Sequence, residues 1–355
     1  MLRLLIDRGN APPRTGIGIF GQLLLQSLQA YCSDEIDAEE AGVSLPAQSF
    51  RPLRRAAYLY RLSRLRRRNY RGAEVIHFIN QYVPTRNPRT SYVVSIHDLD
   101  PMMLPDAHTR RFSWYFNSII EKSICRADVI IAPSDSVRSE LLETFASAAG
   151  KIRVGGQGLS VDFIGLAEQV PKIEPDPPVL LYVGQLSKKK NIAWLIRTFR
   201  KGVRSGALPG ARLILAGGRG YGFSEIERAM KEAGESVFWY PSPTLSQIVT
   251  QYRSCTAVIL PSLREGFGRP LLEAMQCDKP IIASRIPTSV ELAGEGAHYF
   301  AIDDPSEFYH AVVEAIEDKD PDRRRKMASE RLLQYSWNNL ARVYGDIYKE
   351  VAASS

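Results

Sequence analysis

The chain has 355 residues, room for two domains of ordinary size, and its 45% apolar and 24% charged content excludes a mostly disordered polypeptide. Its four cysteines, Cys32, Cys125, Cys255 and Cys277, are scattered and form no C-x-x-C pair, which argues against a disulfide framework or a cysteine zinc site and suits a reducing cytosol. The opening apolar run is too short for a signal peptide, and no stretch approaches the roughly 18 apolar residues that span a bilayer, so a soluble cytoplasmic protein is expected.

The net charge of +7 is unevenly placed. Residues 51–71, RPLRRAAYLYRLSRLRRRNYR, hold nine arginines and no acid, and without them the chain is close to neutral. Leu53, Tyr58, Leu59, Leu62 and Leu65 recur at helical spacing, so the segment reads as a basic amphipathic helix or a pair of short ones. A solvated face over an ordinary core stripe is one reading. The other is a surface for an anionic membrane or a lipid-linked acceptor, with Arg64, Arg66, Arg67 and Arg68 as its densest part. Nucleic acid is set aside, because no reading motif accompanies the charge.

In chain order, short apolar runs predict buried strands at 2–7, 74–79, 92–98, 128–134, 179–184, 212–218, 257–262 and 279–284. They are continuous rather than alternating and are followed by helical stretches, which is the pattern of parallel sheets covered by helices. GLAEQVPKIEPDPP, residues 165–178, has four prolines and mixed charge and separates two groups of strands. The resulting expectation is α/β, with two doubly wound, Rossmann-like parallel-sheet domains facing a cleft. The boundaries are 1–165, a linker at 166–178, 179–335, and a C-terminal helix over 336–355 capped by Ser336 that crosses back to the first domain.

The most informative stretch is PSLREGFGRPLLEAM, 261–275. It lies at the carboxyl end of a buried strand, where open α/β sheets bind ligands. Gly266 and Gly268 allow close backbone approach, and Pro270 suits the start of a helix whose free N–H groups attract anions. Glu265 before that helix and Glu273 within it suit a ligand carrying a diphosphate and hydroxyl groups.

Glu265 and Glu273, with the glycines between them, resemble the E-x7-E motif of the group 1 glycosyltransferases, the large retaining family four of GT-B fold. LLYVGQLSKKKNIAWLIRTF, LILAGG, ASRIPTSVELAGEGAHYFAIDDPSEF and YSW resemble further segments of that family in order. SIHDLDPMMLPDAHTRRF and ADVIIAPSDSVRSEL resemble its mannosyltransferase-like subgroup. The resemblance implies that Glu265 holds donor-sugar hydroxyls, that amides of Gly266, Phe267, Gly268 and Arg269 line the sugar and diphosphate, and that Glu273 takes the ribose. Lys190 would face the leaving diphosphate, Gly16 and Gly18 would form the glycine loop near it, and His97 would face the reacting sugar. Gln185 stands where the family commonly has arginine, so one charge is missing or comes from elsewhere, Arg264 and Arg269 being the candidates.

The resemblance also implies a metal-independent hexosyltransferase without cofactor, in which the leaving phosphate helps deprotonate the acceptor. Asp98-Leu99-Asp100 spells the D-x-D metal motif of the other large glycosyltransferase fold; it is set aside because the E-x7-E half already accounts for the diphosphate. Expected partners are a GDP- or UDP-linked sugar, tilted toward GDP-mannose, a glycan or lipid-linked acceptor, and an anionic surface at the cytosolic membrane face, with no nucleic acid. Trp239 and Tyr240 could equally pack on the base or belong to the core. Two other classes stay open: a nucleotide-sugar-binding subunit without its own activity, and an epimerase or phosphorylase on the same architecture.

Overall fold

The computed structural model describes residues 1–9, 16–41, 72–83 and 89–354. The arginine run at 51–71, with Arg64, Arg66, Arg67 and Arg68, lies outside them. The chain forms two compact units, one of residues 1–99, 113–158 and 335–355, the other of residues 100–112 and 159–334.

The first unit is built on a six-stranded sheet of order β2-β1-β3-β4-β5-β6. Its strands are β1 (Leu2–Asp7), β2 (Ile36–Glu40), β3 (Val75–Phe78), β4 (Ser91–Ser95), β5 (Val129–Ala132) and β6 (Ile152–Val154), each parallel to its neighbours. The central strands β3, β4 and β5 are buried along their whole length, as expected of continuous apolar runs covered on both faces. One face packs Leu4, Ile6, Val75, Val93 and Ile131 against Phe20, Leu24 and Leu28 of the helix Gly16–Tyr31. The same core takes Trp337, Leu340, Tyr344 and Tyr348 from the C-terminal helix Trp337–Ala353. Ser336 caps that helix by accepting from the Asn339 amide at 3.4 Å. His77 fixes it to the sheet, with Nδ1 2.8 Å from the Tyr348 hydroxyl and Nε2 2.8 Å from Ser95 Oγ.

The second unit repeats the plan with β7 (Val179–Val183), β8 (Arg212–Ala216), β9 (Val237–Tyr240), β10 (Ala257–Leu260), β11 (Ile281–Ser284) and β12 (His298–Phe300). These are also all parallel, in the order β12-β11-β10-β7-β8-β9. Strand order reverses between β7 and β10 here, and between β1 and β3 in the first unit. Crevices at such switch points are where doubly wound sheets hold ligands.

The expected linker begins too early. Residues 166–169 belong to the helix Val161–Gln169, capped by Ser160 and buried through Phe163 and Ala167. Phe163 meets Tyr252 edge-on at 5.8 Å, and Arg253 then holds the following turn, donating to Val170 O at 2.8 Å and accepting from the Ile173 amide at 3.0 Å. Proline content signalled the chain's change of direction, but apolar anchors on either side commit this segment to the second unit. No helix among the described residues is long and apolar enough to cross a membrane.

Candidate functional site

In the second unit the two switch-point strands deliver loops to one place. Beyond β7, the backbone passes so close to the end of β8 that a Cβ on Gly217 would lie 1.9 Å from Gly184 O, and Gly217 has φ +152°. Glycine is the residue that tolerates both. The Leu186 amide bonds Gly218 O at 2.9 Å and the Gly220 amide bonds Leu186 O at 2.8 Å, so this loop is tied to the next one. It then makes a short turn, Lys188–Lys190, and Asn191 in the left-handed region leads into the helix Ile192–Ser205.

The loop beyond β10 meets that turn. The Leu263 amide donates to Lys189 O at 3.0 Å, and two residues on, Glu265 accepts from Lys190 Nζ and from Ser262 Oγ, the latter at 2.6 Å. Thr288 Oγ1 donates to the Glu265 carbonyl at 2.8 Å. Burial alone would raise the Glu265 pKa, but the charges of Lys190 and Lys189 and the bonds from Lys190 and Ser262 carry it below its ordinary value. Glu265 is therefore a carboxylate at neutral pH, its side chain held by Lys190 and Ser262 and its backbone by Thr288.

Gly268, with φ +90°, turns the chain into the helix Arg269–Gln276, and Pro270 stands in its first turn. Arg269 Nε donates to Glu273 Oε1 at 3.1 Å and the buried Tyr252 hydroxyl donates to Glu273 Oε2 at 2.7 Å. Glu273 is thus a buried, oriented acid rather than a solvated one. Gly266, Phe267 and Gly268 are buried as well, which sets the loop backbone at the helix start. The exposed Gln185 donates to Arg219 O at 3.4 Å and brings no charge to the β7 end.

Asp100 reaches this site from the short helix Asp100–Met103. Its buried carboxylate pairs with Lys189 Nζ and lies 3.4 Å from Arg264 Nε, both within the second unit. Trp239 donates to Gly217 O at 2.9 Å and packs on Phe223 at 5.0 Å, so its indole belongs to the edge of the core, while Tyr240 is exposed.

In the first unit, His97 follows β4 and its Nε2 lies 2.9 Å from Ile79 O, at the end of switch strand β3. A carbonyl oxygen only accepts, so Nε2 carries the proton and Nδ1 is an acceptor. Burial lowers the His97 pKa against opposing contributions from the Ile79 carbonyl and Asp98, which favours the neutral ring. Gly16 opens the helix Gly16–Tyr31 with free space around it, and Gly18, two residues on, is buried. A third glycine escaped the sequence reading. A Cβ on Gly21 would lie 2.5 Å from Ile79 Cδ1, so any side chain there would force Ile79 at the end of β3 to shift. The signal was present, since residues 16–21 spell G-x-G-x-x-G, whose last glycine serves helix–strand packing.

Comparison with known proteins agrees with this architecture. Residues 166–331 match the family model "Glycosyl transferases group 1" and residues 29–163 match "Glycosyltransferase Family 4". The chain is 28% identical over 295 residues to O-antigen chain mannosyltransferase B of Escherichia coli, covering 78% of this chain and 74% of that protein. Among solved structures it resembles sucrose-phosphate synthase of Thermosynechococcus elongatus, with a TM-score of 0.75 at 18% identity and the whole of both chains covered. Anabaena HepE in complex with UDP-glucose aligns with a TM-score of 0.68 at 17% identity, over 100% of this chain and 99% of the other.

Proposed function

Since the chain belongs to the group 1 glycosyltransferases and carries their GT-B fold, we propose that it moves a hexose, with retention of configuration, from a nucleotide-sugar donor to a hydroxyl acceptor. The observation that carries this reading is the meeting of Lys190 and Glu265 at the β7/β10 switch point, one a cation for the leaving diphosphate, the other an acceptor for sugar hydroxyls. Glu273, oriented by Arg269 and Tyr252, is placed one helical turn further on to take the ribose.

Lys190 is paired with Glu265. Donor binding exchanges partners: the ammonium turns to the phosphate oxygens and the carboxylate to the sugar. Charge develops on the departing diphosphate, so fixed cations and the amides at the start of the helix Arg269–Gln276 supply the main stabilisation of the transition state. No metal is required in this scheme. His97, neutral and held by Ile79, serves the reacting sugar from the first unit, and the leaving phosphate takes the acceptor proton.

The donor we favour is GDP-mannose, with UDP-sugars next. Support comes from relatives named as O-antigen mannosyltransferases and from a structural neighbour holding UDP-glucose. The acceptor is a glycan or lipid-linked sugar in surface polysaccharide assembly, and the arginine run at 51–71 holds the protein at an anionic membrane face. A thermal-shift panel of UDP, GDP and ADP tests the base, because a ligand that binds only the folded protein raises Tm. Incubation with GDP-mannose or UDP-glucose tests the activity. Slow release of free sugar is expected, and its absence despite nucleotide binding would favour an inactive binding subunit.

A further inference from the structure

We propose that Ser262 is a positioning residue for Glu265, keeping the carboxylate in place for the donor sugar when Lys190 turns to the diphosphate. The inference rests on the reading of Glu265 as the acid that accepts donor-sugar hydroxyls and assigns a role behind it.

Glu265 takes its side-chain bonds at one oxygen. Lys190 Nζ and Ser262 Oγ both donate to Oε1, the hydroxyl at 2.6 Å. Oε2 is then the atom offered to a sugar hydroxyl, provided that something still fixes the group once the ammonium has changed partners. A hydroxyl that donates to an ionised acceptor makes one of the stronger hydrogen bonds, and it can serve as that fixture.

The two donors differ in how firmly they are placed. Lys190 is 22% exposed and reaches Glu265 on a flexible four-carbon stem from the turn Lys188–Lys190. Such a group can exchange one anion for another. Ser262 is 1% exposed, and one side-chain torsion sets its oxygen.

The backbone that carries Ser262 is held from the neighbouring strand. Ser284, wholly buried at the end of β11, donates to Ser262 O at 2.6 Å and lies 3.3 Å from Leu260 O at the end of β10. Four residues on, Thr288 of the helix Pro287–Ala293 donates to the Glu265 carbonyl at 2.8 Å. One continuous segment thus fastens the loop at both residue 262 and residue 265. Within that frame the Ser262 hydroxyl joins loop to carboxylate. A misplacement of about 1 Å at a reacting centre can cost on the order of 10²-fold in rate, which is the scale on which such a frame acts.

Initial rates with GDP-mannose and UDP-glucose, read beside calorimetric titration of the full chain with GDP and UDP, test this role. Ser262→Ala should lower kcat/KM for the donor about tenfold, the loss of one hydrogen bond to a charged group. Affinity for GDP or UDP should stay unchanged, because a nucleoside diphosphate carries no sugar for Glu265 to hold. Ser262→Thr keeps the hydroxyl and should recover most of the rate. In a Glu265→Ala background Ser262→Ala should cost little more, since the serine acts through that carboxylate.

Equal losses for donor and nucleoside diphosphate together with a lowered Tm, or a full further loss in the Glu265→Ala background, would make Ser262 a structural residue only. No recovery in Ser262→Thr at an unchanged Tm would also overturn the assignment. If the wild type turns over neither donor, the donor-site reading itself fails; if it does and Ser262→Ala is silent, only this inference fails.

Discussion

Lys190 donates to Oε1 of Glu265, 75 residues further along the chain, and each comes from the loop that leaves one of the two strands at the sheet's switch point. The pair needs no local sequence signal. It arises because β7 and β10 are neighbours, with Ala257 beside Leu180, and because the Leu263 amide locks the two loops together.

Replacing Glu265 by Gln should reduce turnover by roughly 10²-fold, the scale on which a fixed polar contact to a reacting group acts. The side chain keeps its volume and the Thr288 bond is to the backbone carbonyl, so Tm should change little. Initial rates with a saturating donor, read beside a melting curve, check this. Near-normal turnover would remove the basis for placing the sugar at Glu265.

Which parts of this architecture the sequence showed follows from burial. All eight apolar runs became strands, and they occupy interior positions of the two sheets. The four strands without such a run, β2, β6, β9 and β12, are the four sheet edges. Edge strands carry charge or alternate in exposure, as IDAEE and VFWY do here, so a pattern of continuous hydrophobicity passes over them. The loop at 261–275 was legible as a candidate site because glycines, acids and a helix start fall within one short stretch. Asp100 was not. Its partners Lys189 and Arg264 lie far away in sequence, and the neighbouring Asp98 made it look like half of a metal motif.

The first unit should lose stability in acid through His77. Its pKa is pushed down to about 3 by burial, with a smaller contribution from His97, against an ordinary value of 6.5. The unfolded chain therefore binds a proton that the folded chain refuses. Stability from this group is complete above pH 6.5 and is lost as pH falls toward 3, at about 1.4 kcal/mol per pH unit across that window. Denaturant unfolding at a series of pH values should show the slope, and His77→Gln should flatten it. A slope unchanged in that variant would assign the acid sensitivity to other groups.

Activity should persist in excess chelator. In the proposed scheme the diphosphate charge falls to Lys190 and the helix-start amides, and the Asp100 carboxylate pairs with Lys189 and Arg264. Loss of turnover with EDTA, restored by manganese, would instead bring Asp98 and Asp100 back as a metal pair.

The arginine run yields a prediction about membranes. Under the proposed function a lipid-linked acceptor would present phosphate and sugar at a bilayer face, and residues 51–71 offer nine arginines with leucine and tyrosine between them. Each basic group near an anionic surface is worth roughly 1 kcal/mol, so three or four engaged arginines give about 3–4 kcal/mol, enough for reversible docking. Co-sedimentation with liposomes should rise with the fraction of anionic lipid and fall with salt, as surface charges are screened within about 10 Å at 0.1 M. Changing Arg64, Arg66, Arg67 and Arg68 together to Gln should abolish most of the binding and leave thermal shifts by soluble nucleotide intact, because none of these arginines belongs to the proposed donor loops. A wild-type protein that ignores anionic liposomes at low salt would reduce the run to a solvated face or a site for a soluble anionic acceptor.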